Sequence, residues 1–500
     1  MGVAARSPFP CRSVIGDRDT NTEIPTKGLT VEPQPQANSA DPDELKFTPQ
    51  ETHTPGVKPN RSGIGKMRWA IAILLFFGVL INYIDRSSIA VAEGHIREDF
   101  GLSAGQMGIV LSSFGWSYVL MQIPAGLLLD KIGIKWVFRV ATIMWSVSCF
   151  ITAIISGTGL LILARIILGM AESPIFPGAM KATGYWFPRS ERGTATAIFD
   201  SGQRLSNVIG FPLVAMAVVS FGWRGAFVAM GLLSLAYVFV FFWKYRDPKE
   251  MNRLGKLKDS ELEYIREGGA QDEDAPRPNP LANLGYILKQ RKVWGMSLGL
   301  GCAGYTQWML LTWLPGYLQS EMGMSVMSSG IFTALPWLVA VAVEFIFPGW
   351  LLDHLMRIGK SGTAVRKTFI VAGMLLAMTV MGAAFTEDPG WALFWITLGT
   401  SGITVSFCVT NSLPALIAPE GGVGATGSIM NSVNNLIGVS APIVTGFVVQ
   451  ATGGFGAAFI VCGVILGIGI FFYTVVLGPI IQIPTAEERA AAKAAQSTGA

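Results

Sequence analysis

Ionisable side chains fall inside runs of apolar residues, where a charge is expensive, and two pairs stand out: Asp85 and Arg86 in one run, Arg165 and Glu172 in another. A charge near the centre of a bilayer costs at least about 2.5–3.5 kcal/mol, so each must face a partner or a watery cavity. The planar guanidinium of Arg86 is a natural fork for a carboxylate. Tyr83 lies three residues earlier, on nearly the same helix face, and can donate to the same ligand. The competing reading makes Arg86 a packing strut paired with Asp85 or Glu172. Arg165 and Glu172 stand seven residues apart, two helical turns, so they stack along one face with the small Gly169 between them. A carboxylate in low dielectric is biased toward its neutral form and can exchange a proton with water when a gate opens. Glu172 is therefore the first candidate proton carrier and Asp85 the second; a static ion pair with Arg165 is the alternative.

The elements that position these residues are membrane helices. The chain has 500 residues, 51% of them hydrophobic and 14% charged, whereas soluble domains carry about 25% charged residues. Apolar stretches of about 20 residues, each long enough to cross roughly 30 Å of hydrocarbon as a helix, recur along the chain. The predicted spans are 69–92, 106–128, 136–155, 159–181, 193–218, 224–245, 293–319, 328–352, 367–385, 391–413, 426–450 and 455–478. The 58 glycines suit helices that pack backbone to backbone, and Gly202, Ser206 and Gly210 form one such small-residue stripe. The net charge of +4 speaks to membrane orientation, not to nucleic acid. Five scattered cysteines have neither metal-ligand spacing nor a disulfide framework, and no cofactor or metal is expected.

The expected fold is an all-α membrane protein of twelve transmembrane helices in two six-helix halves. Residues 1–65 are polar and lack the apolar core of a secretory signal, so they are expected to be a disordered cytoplasmic tail. The N-terminal half is expected over 66–245, a charged, proline-bearing cytoplasmic linker over 246–290, the C-terminal half over 291–480 and a cytoplasmic tail over 481–500. Lys58, Arg61, Lys66 and Arg68, then Lys131, Lys135 and Arg139, then Lys181, Arg189 and Arg192 mark alternate loops as cytoplasmic, which puts both termini inside. An internal repeat supports two parallel halves: Thr196-Ala-Ile-Phe-Asp-Ser201 recurs as Gly427-Ser-Ile-Met-Asn-Ser432, and Leu205 as Leu436.

Between the second and third spans the chain reads Gly126-Leu-Leu-Leu-Asp130-Lys131-Ile-Gly133-Ile-Lys135, which resembles the signature of the major facilitator superfamily. Gly126 would allow close helix approach, Gly133 would serve the turn, and Asp130 would pair with cations across the interface between the halves. The resemblance implies that this element is a conformational latch. A weaker copy, Gly349, Asp353, Arg357 and Arg366-Lys367, follows the eighth span.

Further segments resemble the anion:cation symporter branch, which includes the galactonate and glucarate transporters. They are Asn82-Tyr83-Ile-Asp85-Arg86, Arg165 with Gly169, Glu172 and Phe176-Pro177, Trp186-Phe187-Pro188, Gly222-Trp223-Arg224 and Thr312-Trp313-Leu314-Pro315-Gly316-Tyr317-Leu318. The resemblance covers nearly all of 69–480. It implies a proton-coupled symporter that takes up a small organic anion by alternating access, with an acidic pair that couples proton flow to substrate release. A bacterial inner membrane and a monomer are expected, with the organic anion, protons and the lipid bilayer as partners. An anion facilitator or an exporter of phosphate, an aromatic acid or a drug on the same fold is the alternative; no constellation for enzyme chemistry is present. By position in the family pattern, Tyr118, Gln203, Thr410, Asn411 and Asn431 join Tyr83 and Arg86 as substrate-binding candidates. Two departures bear on the substrate. Asn411 stands where some sugar-acid carriers have Trp, and Arg204 stands beside Gln203 where an uncharged residue is usual. A second cation could indicate a dicarboxylate, although Asp200, four residues before Arg204, can neutralise it. Glu344 is an isolated intramembrane acid whose partner is not legible in the sequence.

Overall fold

The computed structural model describes residues 65–273, 284–420, 422–485 and 488–489. The expected tail over 1–65 lies outside the described residues except for its last position, as does most of the expected tail over 481–500. The described chain is all helix and turn. Its elements are α1 (Met67–Val91), α2 (Glu93–Phe100), α3 (Ala104–Lys131), α4 (Ile134–Ile154), α5 (Thr158–Glu172), α6 (Ile175–Trp186), α7 (Arg192–Lys244), α8 (Pro248–Arg253) and α9 (Asp259–Glu267). After the linker come α10 (Leu284–Leu288), α11 (Arg291–Ser320), α12 (Val326–Glu344), α13 (Leu352–Arg357), α14 (Gly362–Ala377), α15 (Pro389–Asn411), α16 (Leu413–Ile417), α17 (Val423–Thr452) and α18 (Gly456–Phe471).

Among the described residues, nine helices are long and apolar enough to cross a membrane, fewer than the twelve expected. One reason is α7, which fuses two predicted spans into 53 residues. At 1.5 Å per residue it would be about 80 Å long, far more than one crossing needs. It bends at Gly222, whose φ of 69° is open to glycine and strained for other residues. The other reason is that α3 and α11, with 28 and 30 residues, are diluted by Ser, Gly, Gln and Thr. The predicted fourth span breaks after Glu172, where Ser173 and Pro174 separate α5 from α6. The tenth breaks after Asn411, before Pro414 in α16.

Two cores divide the interior. One gathers Leu75, Trp145, Trp186, Phe199, Tyr245 and, from α9, Ile265, which docks the start of the linker under the first half. Arg68 reinforces that dock, donating to Glu191 at 2.7 Å and to Glu261 at 3.2 Å. The second core runs through both halves, from Val91, Val110 and Phe211 to Trp313, Tyr317 and Phe459. The halves therefore share a core at the end remote from the linker. Backbone approaches set that seal: a Cβ on Gly108 would lie 2.5 Å from the Pro442 carbonyl, one on Gly446 2.5 Å from the Ala104 carbonyl, and one on Gly330 2.9 Å from the Phe211 carbonyl. Toward the linker end, Gly126, Gly193 and Gly424 meet nothing within 4 Å. The close backbone approaches between the halves thus lie at the end remote from the linker.

Candidate functional site

The first site residue is positioned by α1 and closed by its neighbours. Arg86 Nε donates to Glu172 Oε2 at 2.7 Å, joining α1 to the last residue of α5. The guanidinium carbon lies 4.2 Å from the centre of the Tyr83 ring, 4.4 Å from Tyr118 and 5.1 Å from Phe114. Phe114 and Tyr118 stack on one another at 5.7 Å, one turn apart on α3. Aromatic faces stabilise the cation, and together they leave it a narrow approach. Glu172 is fully buried, and its second oxygen, Oε1, has no hydrogen-bond partner. Of the two partners the sequence left open for Arg86, the structure brings in Glu172.

Asp85 faces another way. Its Oδ2 accepts from Ser234 at 2.7 Å and from the Trp145 indole, so it ties α1 to α4 and to the second arm of α7. Its Oδ1 is buried and unpartnered, as are Nε and Nη1 of Arg165. Arg165 lies under the same aromatic that walls Arg86, 5.0 Å from the Phe114 ring centre. Gly169 allows this convergence. A Cβ there would lie 2.1 Å from Ser117 Oγ and 2.3 Å from the Phe114 carbonyl, so α5 rests directly on α3. Buried polar atoms without partners are rare in folded proteins. Such atoms are scattered over the described residues, and four of them belong to the charged groups Asp85, Arg165 and Glu172.

Sequence reading found part of a second charged group, the Asp200–Arg204 pair, and missed its third member. Arg204 reaches two carboxylates at once: Nη2 meets Asp200 at 3.2 Å on its own helix, and Nη1 meets Glu344 of α12, in the other half. Glu344 thus has a partner 140 residues away, which no local pattern could reveal. Of the other candidates, Gln203 is half-buried one residue before this group, while Asn411 and Asn431 are exposed on α15 and α17. Thr410 is apart from them: it is fully buried and shares a 2.9 Å hydrogen bond with Tyr473, inside the second half.

In the predicted latch, Gly133 has φ 88° and starts α4, as the turn requires. Asp130 accepts from Lys181, a cation of its own half, at 2.6 Å. Lys135 donates to Glu250 at 2.7 Å, holding α8, while Lys131 is exposed. Gly126 makes no close helix approach: a Cβ there would meet nothing within 4 Å.

Membrane-length helices in two halves and charges buried among them are the features of a secondary transporter. The sequence profile of the Major Facilitator Superfamily matches residues 75–442. The chain is 40% identical over 422 residues to YybO, an uncharacterized transporter of Bacillus subtilis, covering 84% of this chain and 96% of that one. It is 33% identical to a D-galactonate transporter of Escherichia coli, covering 85% and 99% of the two chains. Among solved structures it resembles a bacterial homologue of the human lysosomal transporter Spinster, with TM-score 0.66 at 18% identity over 84% of this chain and 97% of that one. The chain belongs to the Major Facilitator Superfamily: it is a multi-pass membrane transporter and not an enzyme.

Proposed function

We propose that this protein is a proton-coupled symporter that takes up a small organic anion, a sugar acid in the first instance, by alternating access. The observation that carries the reading is the Arg86–Glu172 pair, a cation that can receive a carboxylate, held by a buried acid that can take up a proton. The substrate carboxylate and Glu172 compete for one guanidinium. Protonation of Glu172 frees Arg86 for substrate, and loss of that proton re-forms the pair and expels it. Charge balance supports the scheme. Three guanidinium groups, Arg86, Arg165 and Arg204, face four carboxyls, Asp85, Glu172, Asp200 and Glu344, one negative charge in excess when all are ionised. Such a site repels an anion until a carboxyl is protonated.

In this reading Tyr83, Arg86 and Tyr118 bind the carboxylate, and Gln203, Asn411 and Asn431 bind hydroxyls. Thr410 shapes the second half, Glu172 carries the proton, and Asp85 with Arg165 relays or reports it. Residues 126–135 form the latch. The reading takes twelve crossings in two halves, two of them contributed by α7 and two by α3 and α11. It places the linker and both termini on the cytoplasmic side of a bacterial inner membrane, with the halves parting toward that side to admit or release substrate. The relative named as a D-galactonate transporter supports the substrate class.

The test is uptake of labelled aldonates, aldarates and aromatic acids into proteoliposomes under an inward proton gradient. Saturable, gradient-driven uptake of one acid is expected, abolished in Arg86→Ala and uncoupled from pH in Glu172→Gln. Equilibration of the acid with no effect of the gradient would instead define a facilitator.

A further inference from the structure

Beyond its share in the charge balance, the Arg204 group has no role in the scheme above, and its chemistry points to selectivity. Both terminal nitrogens of Arg204 are occupied, one by Asp200 and one by Glu344. A guanidinium holding two ionised carboxylates belongs to a group with a net negative charge, and both of its terminal nitrogens are engaged. The group is nevertheless within reach of solvent, with side-chain exposures of 40% for Arg204, 30% for Asp200 and 15% for Glu344. It also borders the proposed binding site: the Tyr83 ring that lies on Arg86 is in electrostatic range of Asp200.

We propose that Glu344 is a specificity-determining residue: by occupying Arg204 it withholds a second cation from the cavity, so that the carrier accepts acids with one carboxylate and rejects those with two. This rests on the organic-anion reading above. An aldonate and its aldarate differ at one end, hydroxymethyl against carboxylate. With the first carboxylate on Arg86, the far end of an aldarate meets an overcharged acidic cluster, and the far end of an aldonate meets a group it can hydrogen-bond. Asp200 alone would leave the group neutral, with the Nη1 that Glu344 now holds open to the second carboxylate of a dicarboxylate. The competing role is a strut between the halves. Losing a strut would change transport of every substrate alike, whereas losing a selectivity group changes the ratio between substrates.

Two readouts separate these roles. The first is the ratio of aldarate to aldonate uptake in proteoliposomes for wild type, Glu344→Gln, and Arg204→Gln with Glu344→Gln together. Glutamine keeps the size and a hydrogen bond to Arg204 and removes the charge. The ratio is expected to rise at least about tenfold in Glu344→Gln, equivalent to ~1.4 kcal/mol, and to return toward wild type in the double variant. The second needs no substrate. Cys408 is half-buried on α15, within electrostatic range of Arg204 and Asp200, whereas Cys149, Cys302 and Cys462 are buried. In a Cys11→Ser background, the rate of Cys408 labelling by an anionic relative to a cationic methanethiosulfonate should rise severalfold in Glu344→Gln and not in the double variant. An unchanged labelling ratio, or an uptake ratio that shifts equally in the double variant, overturns the proposal. If wild type carries neither acid while the labelling ratio shifts as expected, the sugar-acid reading fails and the control of Arg204 by Glu344 stands.

Discussion

Replacing Gly169 by alanine adds one methyl group at the place where α5 rests on α3, and the structure fixes what that methyl meets. Its nearest backbone neighbour, the Phe114 carbonyl, would be 2.3 Å away, against the 3.4 Å at which ordinary contact begins. A carbonyl inside a helix cannot rotate aside, so α5 must withdraw by roughly 1 Å from a close-packed partner. Overpacking of this kind costs about 1–3 kcal/mol, from which the better helix propensity of alanine returns about 0.5–1 kcal/mol. The displacement also moves Glu172, three residues on, away from Arg86. The control is Gly126→Ala on α3, where nothing lies within 4 Å of the new methyl, so that only the propensity gain remains. Unfolding of the two purified variants in one detergent, together with uptake, is the assay. Gly169→Ala should be destabilised and transport poorly; Gly126→Ala should be at least as stable as wild type. Equal destabilisation of both, or a Gly169→Ala protein with wild-type stability and uptake, would refute the packing argument.

Two further outcomes follow from contacts outside that interface. Thr410→Val should cost about 1–3 kcal/mol of stability by leaving the buried Tyr473 hydroxyl short of a partner, while the ranking of substrates in competition assays stays as in wild type; a changed ranking would return Thr410 to the binding site. Asp99, which accepts from the Trp223 indole at 2.7 Å and from Arg224 at 2.5 Å, is held below the ordinary carboxylate range, first by the indole hydrogen bond and then by that of the guanidinium. Its stabilising effect is therefore complete above the unfolded value of about 3.9 and is lost as pH falls through the lower folded value. The difference in thermal midpoint between wild type and Asp99→Asn should accordingly be constant from about pH 5 to 8 and shrink in strong acid; a difference that grows in acid would contradict it.

Much of the architecture was legible because lipid imposes a simple rule on backbone polar groups: helix boundaries near Met67, Ile134 and Pro389 fall within a few residues of the hydropathic edges. The same rule gave no warning of α7 as one bent element, since a single Gly222 among many glycines does not announce its dihedral angle. At the site, the i to i+3 relation of Tyr83 and Arg86 was readable because it is local. Which acid faces Arg86 was not, because neighbouring residues on a helix point about 100° apart and the choice depends on which helices stand on either side. Trp145 and Ser234 claim Asp85 from one side, leaving Glu172 to the other. The Arg204–Glu344 pair was invisible for the same reason on a longer scale: it is a property of the contact between α7 and α12, not of either segment.

The seal at the end remote from the linker has a mechanical corollary. Gly108 on Pro442, Gly446 on Ala104 and Gly330 on Phe211 are contacts between neutral backbones at van der Waals distance. Such attraction is short-ranged and loses a quarter to a half of its strength over a gap of about 0.5–1 Å. Once parted, these three backbone contacts contribute almost no pull, and until parted they resist nearly in full. A joint of that kind behaves as a snap fastener: it has no stable half-closed position, and that discreteness keeps a carrier from becoming a pore.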